Sequence, residues 1–136
     1  MKIIQVAGLA NTGKTTFIAN LIPVLRSQGK VGVVKHLGDH DFALEEGKDT
    51  TTFFENGADI SAGVDSKKSV TVFRSTDIDE ILLIFKRSGI DFAIIEGFKT
   101  RNFTKIIIGD YQDGPCILSN PSPEEVLSSL SQFEDY

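Results

Sequence analysis

The stretch Gly8-Leu9-Ala10-Asn11-Thr12-Gly13-Lys14-Thr15 has the residue types and spacing of polyphosphate chemistry. It matches G-x-x-x-x-G-K-[ST], the phosphate-loop or Walker A pattern. Glycines let the backbone curl so that successive N–H groups converge on phosphate oxygens. Lys14 is spaced to reach the β- and γ-phosphates, Thr15 to place its hydroxyl on Mg²⁺, and Thr16 to contact the α-phosphate. A chance match arises in roughly one chain in a hundred of this composition, and here the match also follows a strand pattern and opens a helix pattern, as the motif requires. The expected nucleotide-binding set is Gly8, Asn11, Thr12, Gly13, Lys14, Thr15 and Thr16, with Lys14 also acting on the reacting phosphate.

A second acidic position stands out. Phe92-Ala93-Ile94-Ile95-Glu96-Gly97 is an apolar strand pattern ending in a carboxylate. The carboxyl ends of strands in a parallel sheet border the ligand crevice. Glu96 there would hold Mg²⁺ through its water shell or orient an attacking water, so it joins Lys14 as a catalytic candidate. Asp91 begins the same strand, at the far end, and reads as structural.

His36 and His40, with Asp39 and Asp41, admit three readings: a zinc site, a solvated loop, or a segment touching the terminal phosphate or Mg²⁺, with Asp41 as the metal contact. The expected metal set is therefore Thr15, Glu96 and Asp41. Lys35 either adds charge near phosphate or is simply exposed. Asp49 either caps a helix or meets ligand. Lys99 and Arg101 fit a second anion, a partner or a solvated loop equally. No N-K-x-D pattern supplies an Asp for a guanine edge. Asn120, after Ile117-Leu118-Ser119, lies where a base could come near, but base identity does not follow from the residues.

The elements that must position these groups are readable as patterns. Met1–Ala7, Val31–Lys35, Ile60–Gly63, Ser69–Phe73, Phe92–Ile95, Lys105–Ile108 and Cys116–Ser119 read as strands. Phe17, Ile18, Leu21, Ile22 and Leu25 recur at helical spacing within Lys14–Gln28, through Pro23, which should bend the helix or rearrange it locally. A helical turn fits Thr50–Asn56. Asp77 caps a helix running to Ser88. Ser122, Pro123 and Glu125 open a last helix through about Phe133. Strands alternating with helices imply an α/β fold: a P-loop NTPase-like three-layer arrangement, its mainly parallel sheet flanked by helices.

The chain has 136 residues, which fits one nucleotide-binding domain over 1–136. A net charge of −5 and a pI near 5.0 speak against general nucleic-acid binding, because no positive excess drives counterion release. The single cysteine, Cys116, excludes an internal disulfide. No apolar run approaches ~18 residues, so no membrane span is expected. Met1–Gln5 lacks a secretory pattern and reads straight into a strand. Together these imply a cytoplasmic protein.

One family shares more than the phosphate loop. Lys14-Thr15-Thr16-Phe17 with Leu21-Ile22-Pro23, Val31-Gly32-Val33-Val34-Lys35-His36 before His40-Asp41-Phe42, Gly47-Lys48-Asp49-Thr50, Asn56-Gly57-Ala58, Glu96-Gly97-Phe98-Lys99 and Lys105-Ile106 resemble the molybdopterin-guanine dinucleotide biosynthesis protein B (MobB) family over residues 3–108. The resemblance implies a GTP-binding protein with weak, Mg²⁺-dependent GTPase activity. It also implies a homodimer that assists a MobA-type guanylyltransferase in attaching GMP to molybdopterin. Two other readings use the same loop: a small-molecule kinase, disfavoured by only four arginines and no arginine-rich lid, and a nucleotide-binding adaptor that does not hydrolyse.

Overall fold

Ile3, Ile4, Val6 and Ala7 are fully buried, so β1 (Lys2–Ala7) is covered on both faces, as its unbroken apolar run demands. β5 (Phe92–Glu96) has the same character and pairs with it in parallel, Val6 beside Glu96. β2 (Val31–Lys35) lies outside β5, and β6 (Lys105–Ile107) and β7 (Cys116–Ser119) lie on the other side of β1. The order is β2-β5-β1-β6-β7 and every pairing is parallel. All five strands therefore present their carboxyl ends along one edge, where ligands of open parallel sheets bind.

The computed structural model describes residues 1–38 and 40–136. The chain forms two compact units, Met1–His36 with Ile81–Tyr136, and Leu37–Glu80. In the first, helices cover both faces of the sheet. Ile18, Leu21 and Leu25 of α1 (Lys14–Arg26) and Val126 of α4 (Pro123–Ser128) pack with Ile4, Val6, Ile94 and Ile106. On the opposite face, the Phe85 ring of α3 (Ile78–Arg87) lies where a Cβ on Gly32 would stand, 2.7 Å from Cδ2, so only glycine fits there. Three layers result, as the sequence pattern implied. α1 continues through Pro23, which faces solvent. Asp91 is structural: its Oδ2 accepts the Lys30 N–H at 2.8 Å.

The second unit contains α2 (Asp49–Glu55) and an antiparallel hairpin of β3 (Ile60–Val64) and β4 (Ser69–Phe73). Asp65 Oδ1 accepts the N–H groups of Lys67 at 2.6 Å and Lys68 at 2.8 Å, which closes the turn and holds the Asp65 carboxyl below its ordinary pKa. Asp49 is the first residue of α2 and not its cap. Lys48 holds the cap position without a side-chain bond, so Asp49 contributes only its charge to the first turn.

The last helix is shorter than its pattern implied. The capping box is present: Ser122 Oγ accepts the Glu125 N–H at 3.2 Å, and Glu125 Oε2 accepts the Ser122 N–H at 2.7 Å. The helix nevertheless ends at Ser128, whose hydroxyl bonds back to the Glu124 carbonyl at 2.9 Å. Such back-bonding competes with the helical ladder, and a short 3-10 turn (Leu130–Gln132) then delivers Phe133 into the core. Ser122→Ala should lower the unfolding free energy by about 1 kcal/mol, read as a lower urea midpoint at unchanged slope.

Candidate functional site

The turn joining β1 to α1 is built from positions that ordinary side chains avoid. Gly8 has φ +151 and Gly13 φ +90, and Asn11 adopts the left-handed region at φ +59, which asparagine tolerates better than most residues. Gly8 has no alternative, since a Cβ there would sit 2.3 Å from the Ile108 carbonyl oxygen. Thr12 Oγ1 donates to the Leu9 carbonyl at 2.9 Å and pins the turn from within. The helical ladder begins with Phe17 N–H to Gly13 O at 2.9 Å. The N–H groups of Lys14, Thr15 and Thr16 precede it, no side chain caps the helix, and its first turn holds no acidic residue. Such a terminus presents unsatisfied donors and the positive dipole end to an anion. Lys14 adds an ammonium, whose Nζ bonds to the Leu9 carbonyl.

Beside this turn, the strand order brings three side chains together. Glu96 ends β5, next to Val6 on one side and Lys35 on the other. Thr15 Oγ1 lies 3.2 and 3.3 Å from the two Glu96 carboxylate oxygens. Lys35 Nζ is 3.0 Å from Glu96 Oε1 and 3.2 Å from Thr15 Oγ1. The Glu96 side chain is only 9% exposed, so its charge requires this partner. One carboxylate and one hydroxyl at the edge of a turn with the phosphate-loop pattern is a donor set that could suit Mg²⁺, which keeps most of its shell for water and phosphate oxygens. Among the described residues no three His, Cys, Asp or Glu side chains gather, so they offer no protein-only cage for zinc.

The turn after Glu96 is anchored by a residue that the sequence reading passed over. Gln5, fully buried in β1, donates from Nε2 to the carbonyls of Gly97 at 2.7 Å and Phe98 at 2.9 Å. Those two residues sit at φ +86 and +51, and the Gln5 bonds hold that strained turn. The lone amide inside Ile-Ile-Gln-Val-Ala was the available signal. The His36 ring packs on Phe98, with centroids 4.8 Å apart. Asn120 Oδ1 accepts the Gly109 N–H at 2.7 Å, and a Cβ on Gly109 would stand 2.8 Å from Thr12 Cγ2, so Asn120 is linked through Gly109 to the phosphate turn. Lys99 and Arg101 lie over the rings of Tyr111 and Phe103. His40 and the exposed Asp41 belong to the Leu37–Glu80 unit, and Asp39 lies outside the described residues.

Comparison with known proteins is consistent across sequence and fold. The family model for molybdopterin guanine dinucleotide synthesis protein B matches residues 3–125. The chain is 35% identical over 113 residues, 78% of its length, to a Bacillus subtilis protein named "Probable molybdopterin-guanine dinucleotide biosynthesis adapter protein". It is 29% identical over 132 residues, 92% of its length, to the Escherichia coli molybdopterin-guanine dinucleotide biosynthesis adapter protein, of which it spans 71%. It spans 64% of the B. subtilis relative and 52% of a Methanocaldococcus jannaschii relative with which it shares 32% identity over 88% of its length. The crystal structure of Bacillus subtilis MobB superposes with a TM-score of 0.73 at 25% identity, covering both chains completely. A MobB homologue from Bacillus stearothermophilus gives 0.61 at 22% identity, covering this chain fully and 74% of the other, and supports the fold alone.

The Lys35–Glu96 contact is testable without ligand. Lys35→Met leaves the Glu96 carboxylate buried without its charge partner and should cost about 1–3 kcal/mol. Adding Glu96→Gln in the same chain should recover most of that loss. Urea unfolding of the two variants checks it, and a Lys35→Met protein as stable as wild type would remove the ion pair from the account.

Proposed function

The chain belongs to the molybdopterin guanine dinucleotide synthesis protein B family, and on that premise we propose that it is a GTP-binding accessory protein of molybdenum cofactor maturation. In this reading it assists a MobA-type guanylyltransferase that joins GMP to molybdopterin, and it hydrolyses GTP slowly. The adapter designation of its relatives supports the accessory role. The observation that carries nucleotide binding is the uncapped start of α1, with Lys14 at its mouth and Thr15 beside Glu96.

The chemistry follows from those groups. Backbone N–H groups of the turn and of Lys14, Thr15 and Thr16 receive the phosphate oxygens, and the Lys14 ammonium balances their charge. Thr15 and Glu96 would hold Mg²⁺, which when bound neutralises charge on the phosphates. The Lys35 ammonium, half-exposed on a flexible stem, would give up its contacts with Thr15 and Glu96 to make room for such a cation. Slow turnover follows in this reading from the scarcity of arginines, four in the chain and none in the turn between β1 and α1. Arg26 bonds to the Gly29 carbonyl beyond the opposite end of α1, and Arg101 stacks on Phe103. A well-placed arginine is worth about 10³–10⁵ in rate.

A homodimer is part of the reading. The hairpin unit supports it: Ile60 and Val64, which share one face of β3, are 59% and 81% exposed. A cytoplasmic setting accords with the free, exposed Cys116. Among the described residues no helix is long and apolar enough to cross a membrane.

Lys14→Ala should abolish GTP binding in calorimetry while leaving the unfolding midpoint in place. Unchanged affinity would refute the phosphate-loop assignment. Glu96→Gln should slow Mg²⁺-dependent phosphate release far more than it weakens Mg²⁺-free binding. Equal turnover in the two proteins would remove Glu96 from the chemistry.

A further inference from the structure

A cavity of about 590 Å³ opens at the carboxyl ends of β6 and β7. Gly109, in its wall, abuts Thr12 of the phosphate turn so closely that a Cβ would reach 2.8 Å from the threonine methyl. The cavity thus adjoins the turn on the side away from Glu96, because β6 and β5 flank β1 on opposite sides. Hydrogen bonds tie part of its wall together. Asn120 stands at φ +47, donates its N–H to the Ile107 carbonyl at 2.8 Å, and holds the Gly109 N–H with Oδ1. Tyr111 supplies an aromatic surface, with the Lys99 ammonium 4.8 Å from the ring centroid.

Two carboxylates line this cavity, and they are not equivalent. Asp113 is engaged by Lys105 Nζ at 2.9 Å, and that lysine is only 2% exposed. Its charge is needed to keep the Lys105 ammonium in the protein. Asp110 makes no hydrogen bond or ion pair among the described residues, so both its oxygens remain available as acceptors. Guanine presents two adjacent N–H donors, on N1 and N2, to which a carboxylate offers two matching acceptors. Adenine presents an acceptor at N1 in the same place, which a carboxylate repels. A polar site built this way rejects a base that leaves its acceptors unpaired.

We propose that this cavity receives the base of the nucleotide whose phosphates lie on the turn, and that Asp110 is the residue that selects guanine. The inference rests on the nucleotide-binding reading above and adds a base-reading residue that no N-K-x-D pattern supplies. Xanthine replaces the guanine amino group with a carbonyl. An asparagine at position 110 offers the matching NH₂ donor together with one acceptor for N1–H.

The test compares the wild-type chain with Asp110→Asn in equilibrium titrations with GTP, xanthosine triphosphate, ATP and inorganic tripolyphosphate, all with Mg²⁺. The expected result is wild-type preference for GTP over ATP. Asp110→Asn should then weaken GTP by about 10- to 100-fold and strengthen xanthosine triphosphate, with tripolyphosphate affinity unchanged. If tripolyphosphate binds but wild type takes GTP and ATP equally, the Asp110 assignment falls and the phosphate turn stands. The same follows if the variant keeps the wild-type ratio of GTP to xanthosine triphosphate. If neither tripolyphosphate nor any nucleotide binds wild type, the nucleotide reading itself falls, and this inference with it.

Discussion

A helix must dispose of its first N–H groups, and at the start of α1 no side chain among the described residues caps them. α1 starts at Lys14 behind a left-handed glycine, with neither a capping side chain nor an acidic residue in its first turn. The contrast within the same molecule is instructive. α4 satisfies its start with the reciprocal Ser122–Glu125 box, so the absence of a cap on α1 is a local choice of residues. The turn that leaves those donors open is held by packing: Gly8 is wedged against the Ile108 carbonyl, and Thr12 ties back to Leu9. Uncapped donors at a helix start favour an anion, which is the basis of the proposed nucleotide reading.

Sheet topology then decides what stands around that site. Because β5 lies between β1 and β2, the carboxylate at its end faces Thr15 on the helix and Lys35 on the neighbouring strand. Gln5, reaching across from β1, fixes the turn that follows Glu96. On the other side, β6 and β7 carry Gly109 and Asn120 up to the phosphate turn. Charge and polarity are thus arranged on both flanks of one loop by the order of five parallel strands.

What was legible in the residues is what local spacing encodes. The glycine-containing turn between β1 and α1, the α/β layering, the Ser122 capping box and the structural role of Asp91 all rest on neighbours within a few positions or on simple periodicity. What was not legible depends on strand order and on competition. No local pattern places Lys35 against Glu96, 61 residues apart in number, because only the parallel pairing of β2 with β5 aligns them. The early end of α4 follows from a serine hydroxyl competing for a helical carbonyl and from the pull of Phe133 toward the core. Lys105, the first residue of β6, is almost fully buried and paired with Asp113, which no local pattern announces. Asp49, which the residues left open between cap and ligand contact, begins its helix, and a one-residue difference from the cap position is not resolved by pattern alone.

The most direct test of the open-donor account is a backbone amide titration by nuclear magnetic resonance, adding GTP with Mg²⁺ to the full chain. The account predicts that the largest amide shifts fall on Ala10 through Thr16, and that inorganic tripolyphosphate reproduces them. Amides of that turn left unmoved at saturating nucleotide, with shifts confined to other segments, would contradict it.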